Sequence, residues 1–190
     1  MSGLAGSNAS RSGIVGGKYS VGEVVQQTSL VSNTKASSTH SGQTASDFVE
    51  PHTAYRVAIT PKFPNSRIEI AFSIPFNQNS AVSTLTIFRF FRLITGGSKA
   101  YTLTSRGGGA GGARHEVAGS SYRPVGYDAQ DSFLYSGLAQ DSPNTNLETI
   151  YGFETKPQGT NTTTWGYSVN ANSDWGWDAA IMLTATEIRA

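Results

Sequence analysis

Cysteine is absent from the 190 residues of this sequence. Disulfide frameworks and thiolate metal sites are therefore excluded, and stability must come from packing or from association with other chains. Charged residues make up only 14% of the chain, against about a quarter in ordinary soluble domains. The net charge of +1 provides no basic excess of the kind that binds nucleic acid, so we expect no nucleic acid partner.

Long apolar runs are missing as well. A membrane-spanning helix needs about 18 or more consecutive apolar residues, and the sequence contains no such run, so we expect no membrane insertion. The first residues lack the basic and then apolar layout of a secretion signal. This combination fits a protein that assembles in a cytoplasm and is released by lysis.

The motifs of common catalytic sites are also missing. No Gly-x-Ser-x-Gly elbow occurs, and the glycine-rich segment 105–114 does not end in the Lys followed by Ser or Thr that a phosphate-binding loop needs. His40, His52 and His115 do not have metal-ligand spacing. The segment 170–178 loosely resembles a calcium-binding loop, although it lacks the Glu that closes such loops. The binding of an ion in this segment is therefore neither predicted nor excluded. We predict a protein that is not an enzyme and carries no cofactor or metal.

What the chain does contain is strand-like alternation, clearest between Arg67 and Pro75. Its apolar side chains, Ile68, Ile70, Phe72 and Ile74, fall on one face. Period-two alternation is typical of a half-buried strand, because successive side chains point to opposite faces of a sheet. Similar segments recur between turn-forming clusters to the end of the chain. The pattern predicts an all-β fold, an antiparallel β-sandwich that is jelly-roll-like.

The most apolar segment runs from residue 85 to residue 94. Its alternation is ambiguous in phase, which predicts a strand covered on both sides, by the second sheet or by a neighbouring subunit. The residues that we assign to the core or to a subunit interface are Leu85, Ile87, Phe88, Phe90, Phe91 and Leu93.

Three parts follow one another along the chain. Residues 1–18 are small, polar and glycine-rich, cannot offset their ordering entropy alone, and are predicted to form an extended arm held by another molecule. Its sizeable apolar side chains, Leu4, Ile14 and Val15, are the candidate anchors. Residues 19–46 are predicted to hold a first strand and a polar linker or long loop from Ser32, and residues 47–190 the sandwich.

An aromatic cluster near the end of the chain has two interpretations. Trp165, Tyr167, Trp175 and Trp177, with Asp174 among them, match the rings and polar groups of sugar-binding surfaces. Packing in the core or between subunits is the favoured alternative, because aromatic residues dominate both environments. A host-surface glycan is therefore retained as a candidate partner.

Four segments carry a resemblance to a known family. They are Ser20–Thr28 (SVGEVVQQT), Tyr55–Pro61 (YRVAITP), Asn65–Ile74 (NSRIEIAFSI) and Leu183–Arg189 (LTATEIR). The chain resembles the β-rich fibre and decoration proteins on the surface of tailed bacteriophages, notably those of marine bacteria. The likeness spans most of residues 20–190.

The resemblance implies a structural protein of the virion. It implies a homotrimeric short fibre, knob or capsid decoration protein that joins other virion proteins through its N-terminal arm, with the C-terminal sandwich projecting outward. The alternative function is a carbohydrate- or receptor-binding module at a fibre tip that uses exposed aromatic residues. The resemblance supplies no catalytic residues and leaves head or tail attachment open.

Overall fold

A computed structural model describes residues 20–40, 48–79, 84–101, 119–123, 132–157, 161–166 and 178–190. Within these ranges the chain forms strands, turns and a single 3₁₀ turn at Thr53–Tyr55. The strands are β1 (Val24–Ser32), β2 (Ala36–His40), β3 (Val57–Ile59), β4 (Arg67–Asn79), β5 (Thr84–Ile94), β6 (Lys99–Ala100), β7 (Gly119–Arg123), β8 (Ser132–Asp141), β9 (Thr149–Pro157), β10 (Asn161–Trp165) and β11 (Ile181–Ile188).

The strands form two antiparallel sheets. In the six-stranded sheet, the order is β1-β11-β4-β10-β2, and β8 pairs with β4 along the opposite edge. In the five-stranded sheet, the order is β3-β9-β5-β6, and β7 also pairs with β5. Their inner faces pack on one hydrophobic core. The fold is therefore an all-β antiparallel sandwich, as the sequence predicts.

Alternation along β4 sets the position of the core. Ile68, Ile70 and Ile74 are fully buried and Phe72 nearly so, whereas Arg67 and Ala71 on the other face are exposed. This matches the alternation read from the sequence, since side chains of a strand alternate between the two faces of its sheet.

Aromatic rings join the two sheets across this core. Phe76 of β4 lies 5.3 Å from Phe88 of β5 between ring centroids, and Phe153 of β9 lies 5.7 Å from Trp165 of β10. Tilted and edge-on contacts at such distances are favourable for aromatic pairs beyond the apolar area they bury. The rings thus hold the sheets face to face without any disulfide.

The polar segment after Ser32 is not only a linker. It contains β2, which pairs with β10 so that Ser38 lies opposite Thr163 and Ser37 opposite Thr164. Threonine suits the pleated surface of a sheet, and hydroxyl-bearing cross-strand pairs stabilise it. Composition alone suggested a loop because β2 has only one apolar residue, Ala36. Residues 24–40 accordingly belong to the six-stranded sheet.

Strand boundaries also differ from the sequence prediction at several places. The sequence predicts a strand over Ser132–Ser136, whereas β8 extends to Asp141, because it pairs with β4 over its whole length. The sequence predicts a strand over Trp177–Ile188, of which Trp177 lies outside the described residues and Ile181–Ile188 form β11; no strand is predicted where β7 lies. The short strand that the sequence predicts over Tyr101–Thr104 lies, apart from Tyr101, outside the described residues; β6 at Lys99–Ala100 precedes it.

Candidate functional site on the outer faces of the sandwich

Strand β5 is covered on both sides, as its ambiguous alternation predicts. Phe88 and Phe90 face the core between the sheets, and Phe91 is equally buried although it points to the outer face of the five-stranded sheet. Ile87 and Leu93 on that outer face are half-buried. The side chain of Leu85 lies outside the described residues.

The cover over Phe91 is ionic. We define the ionic face as the chain of charges Arg56, Glu50, Lys99, Glu154 and Arg89 on the outer side of the five-stranded sheet. Its distances are short: 2.6 Å from Arg56 Nε to Glu50 Oε1, 2.8 Å from Lys99 Nζ to a carboxylate oxygen of each glutamate, and 2.6 Å from Arg89 Nη2 to Glu154 Oε2. Each carboxylate is thus shared by two cations.

Aromatic rings enclose these cations. The guanidinium of Arg89 has its Cζ 4.1 Å from the ring centroid of Phe48 and 3.9 Å from that of Tyr101. The Nζ of Lys99 lies 4.2 Å from the ring centroid of Phe91. Cations over ring faces are attracted by the ring quadrupole, more strongly where water is excluded. The ionic face is therefore a compact cover over the sheet.

The ionic face shifts the pKa of its members. Burial raises the pKa of Glu50, but hydrogen bonds from Arg56 and Lys99 outweigh it and hold that pKa below its ordinary value. Burial lowers the pKa of Lys99, and its bonds to Glu154 and Glu50 reverse this and raise it. Both shifts favour the charged forms. The arrangement stabilises charge and leaves neither group poised for proton transfer near neutral pH.

The segment from Phe48 to Glu50 is the strap that this network holds. Val49 forms an isolated bridge to Thr155 of β9, with N–H···O distances of 3.0 Å and 2.9 Å. The side chain on each side of Val49 takes part in the ionic face or its cover. The strap is thus held in place by backbone hydrogen bonds and by ion pairs.

A buried carboxylate ties three parts of the six-stranded side together. Glu187 of β11 is fully buried and accepts hydrogen bonds from the backbone N–H groups of Lys62 and Phe63, from the Ser66 hydroxyl and from the Gln26 side-chain amide, at 2.7–3.0 Å. Burial raises the pKa of Glu187, but these donors outweigh it and lower that pKa. This glutamate positions the turn before β4.

The outer face of the six-stranded sheet has the opposite character. We define the open face by its exposed apolar side chains Val31, Leu134, Leu138 and Met182, of which Leu134 is 64% exposed and Val31 61%. The residues between them on the same face are small and uncharged: Ser29, Ala71, Ser73, Ser136 and Thr184. Exposed apolar patches on a sheet mark association surfaces.

Trp165 does not contribute to a glycan site. It is fully buried, and its indole N–H donates to the Ser38 hydroxyl at 3.0 Å. Its burial agrees with the favoured interpretation, packing in the core, and excludes the sugar contact kept as the alternative, because a ring enclosed on both faces cannot stack on a sugar. Tyr167, Asp174, Trp175 and Trp177 lie outside the described residues, as do the arm residues Leu4, Ile14 and Val15.

Sequence reasoning missed the ionic face. Its members come from strands β5, β6 and β9 and from the region before β3, so no local pattern connects them. One signal existed: Arg89 interrupts the apolar run of β5 at an outward position, which indicates that this outer face of the strand is partly polar. No group of three or more His, Asp or Glu in the described ranges could hold a metal ion.

Comparisons with known proteins leave the geometry to carry the functional argument. No protein-family model and no curated protein matches this chain. In the part of the chain that the structure describes, no helix is long and apolar enough to cross a membrane.

Proposed function

We propose that this chain is a non-enzymatic structural protein of a bacteriophage particle, a homotrimeric short fibre, knob or capsid decoration protein. Residues 1–18 anchor it to other virion proteins, and the sandwich projects outward. The observation that carries the proposal is the contrast between the two outer faces. The outer face of the five-stranded sheet is covered by ion pairs, whereas the open face of the six-stranded sheet has exposed apolar side chains.

The open face supports self-association. Val31 and Met182 lie directly opposite one another on β1 and β11, and both are exposed. Their burial on another surface is favourable by about 25 cal/mol per Å² before the ordering costs of association. Copies of one chain that bury such a face form closed symmetric oligomers. The family resemblance implies that the number of copies is three.

The four segments that carry the family resemblance are joined by hydrogen bonds or lie next to them, which supports a structural role for the similar residues. Gln26, from the first similar segment, and Ser66, from the third, both hydrogen-bond to Glu187, from the last. The second segment ends at Pro61, next to Lys62 and its backbone donor to the same carboxylate. These hydrogen bonds hold parts of the sandwich together, and the cluster contains no reactive group.

Two measurements on the full chain test the proposal. Light scattering is expected to give three times the 20.1 kDa chain mass, and mass spectrometry of particles purified from a lysate is expected to find the chain in them. Met182→Lys should reduce the trimer fraction, since it places a charge in the buried face. Leu147→Lys, a matched change at an exposed leucine in the turn before β9, should leave it unchanged. A monomer at all concentrations, or particles without the chain, would refute the proposal.

A further inference from the structure

In the part of the chain that the structure describes, strand β8 is an edge of the six-stranded sheet. Within the described ranges it pairs only with β4, and that pairing runs from Ile68 to Asn77 without a bulge. Gly137 of β8 faces inward, where an added Cβ would lie 2.9 Å from the Phe72 ring, yet the residue is exposed. Its exposure therefore comes from backbone at the free edge of the strand.

This edge lacks the features that keep natural edge strands apart. Such strands are usually short, bulged, or supplied with charged residues or proline. From Ser132 to Gln140, β8 has no charged residue and no proline. The edge strand β1, by contrast, has a register irregularity between Val24 and Gln26, and the edge strand β6 is two residues long and contains Lys99. β8 is built as a strand that accepts a partner.

We propose that the partner is β8 of a second copy, paired antiparallel about a two-fold axis at Ser136. In this register Leu134 faces Leu138 of the second copy and Leu138 faces its Leu134, both pairs on the open face. On the inner face Tyr135 faces Gly137 of the second copy, so an aromatic ring covers a glycine, an arrangement that stabilises glycine in strands. The five residues from Leu134 to Leu138 are thus complementary to themselves.

Charge also favours this partner. Two antiparallel copies of a charged strand can bring like charges together, which is destabilising. Ser132–Gln140 contains no charge, and the carboxylate of Asp141, just beyond it, is bound to Arg92 of its own chain at 2.8 Å. The paired stretch therefore has no repulsive pair within it.

The contact is small. At about 3.4 Å per residue the paired stretch is about 30 Å long, and with a sheet depth of about 10 Å its footprint is about 300 Å² per copy. A stable interface buries about 800 Å² per partner. Pairing is therefore weak in dilute solution and forms where trimers are held close together, as between neighbouring trimers on the particle proposed above, on which this inference rests.

The absence of native cysteine allows a direct test by cross-linking. Directly opposed residues of antiparallel strands have Cα atoms about 4.5–5.5 Å apart, within the range of about 4.4–6.8 Å that a disulfide spans. In the full chain, Ser136→Cys places two thiols across the proposed axis. Under mild oxidation it should form a covalent dimer on the order of tenfold faster than Ser29→Cys, because paired thiols have an effective concentration of about millimolar.

The two controls probe position and register. Ser29→Cys is equally exposed but lies on the β1 edge. Leu138→Cys lies on β8, but in this register its thiol faces Leu134, so it should cross-link as slowly as Ser29→Cys. In urea all the single-cysteine variants should react at equal rates.

The outcomes separate this inference from the proposed function. Equal rates for Ser136→Cys and Ser29→Cys in the folded protein would overturn the β8 pairing, and faster linking through Leu138→Cys would overturn its register. Neither result affects the test of the proposed function, which depends on the trimer mass and on the presence of the chain in particles. A fast Ser136→Cys dimer in a chain that does not form trimers would keep the pairing and reject the trimer.

Discussion

The hydroxyl of Tyr151 donates a hydrogen bond of 3.0 Å to the buried carboxylate of Asp141. Tyr151 lies on β9 of the five-stranded sheet and Asp141 on β8 of the six-stranded sheet, so the bond crosses the sandwich. Arg92 of β5 donates to the other oxygen of the same carboxylate at 2.8 Å. Burial, and then the charge of Asp141, raise the pKa of Tyr151, which keeps its proton in place.

Tyr151→Phe should lower the free energy of unfolding by about 1–3 kcal/mol, because it removes one hydrogen bond to a buried charge. Chemical denaturation measures this difference. Tyr135→Phe is the matched control: Tyr135 also faces the core, but its contacts are ring contacts with Phe72 and Phe88. Its cost should stay within about 0.5 kcal/mol, and equal costs for the two variants would mean that the Asp141 bond adds nothing.

Glu187 predicts an acid-sensitive component of stability. Its folded-state pKa lies below the ordinary value of 4.5, so its contribution is complete above that value and is lost as the pH falls through the folded-state pKa. Glu187→Gln should lower the free energy of unfolding at neutral pH by about 1.5–3 kcal/mol and flatten its dependence on pH in the acid range. Urea titrations at several pH values give both quantities.

The control for this prediction is Glu148→Gln, an exposed position. It should change the neutral-pH free energy of unfolding by no more than about 0.5 kcal/mol. If Glu187→Gln kept the full acid dependence of the parent protein, the four-donor cluster would not be its source.

Glu50 should control the attachment of the strap. Glu50→Gln removes the charge shared by Arg56 and Lys99, so the amide hydrogens of Val49 and Thr155 should exchange with solvent faster, while those of β4 should not change. The same region should loosen in the parent protein as the pH falls through the lowered pKa of Glu50. Hydrogen exchange followed by mass spectrometry or NMR measures this, and uniform acceleration over both sheets would contradict a local role.

Gly152 is required by the close approach of Phe91. A Cβ at this position would lie 2.6 Å from Phe91 Cζ and 3.4 Å from Arg56 Cγ. Gly152→Ala should therefore destabilise the protein by about 1–3 kcal/mol through overpacking. In a Phe91→Leu background the same change should cost less, since the clashing ring is gone, and a double-mutant cycle measures the coupling. Zero coupling would assign the cost to backbone effects.

The sequence predicts the parts of the fold that depend on local alternation. The buried positions of β4 follow from their period-two spacing, and the double cover of β5 follows from its unclear phase. β2 could not be predicted in this way, because its Ser and Thr residues become strand-forming only when the Thr-rich β10 lies beside them. Propensity for strands depends on such neighbours more than on the residues themselves.

The surfaces were less predictable than the core. Glu50, Lys99 and Glu154 are far apart in sequence, and only the pairing of β5 with β6 and β9 brings them together. The exposure of Leu134 and Leu138 likewise depends on the absence of a cover over the outer face of the six-stranded sheet among the described residues, which the pattern of β8 does not reveal. For Trp165 the sequence leaves two interpretations, a sugar contact and packing in the core, and only the structure decides between them by placing its ring against the second sheet.

The place of β11 has a consequence for synthesis on the ribosome. Ile181–Ile188 lies between β1 and β4, two strands translated long before it. Until this stretch emerges from the ribosome, the strand edges of β1 and β4 that pair with it have no partner. We therefore expect the six-stranded sheet to close only once β11 has been synthesised, with chaperones protecting the edges of β1 and β4 until then.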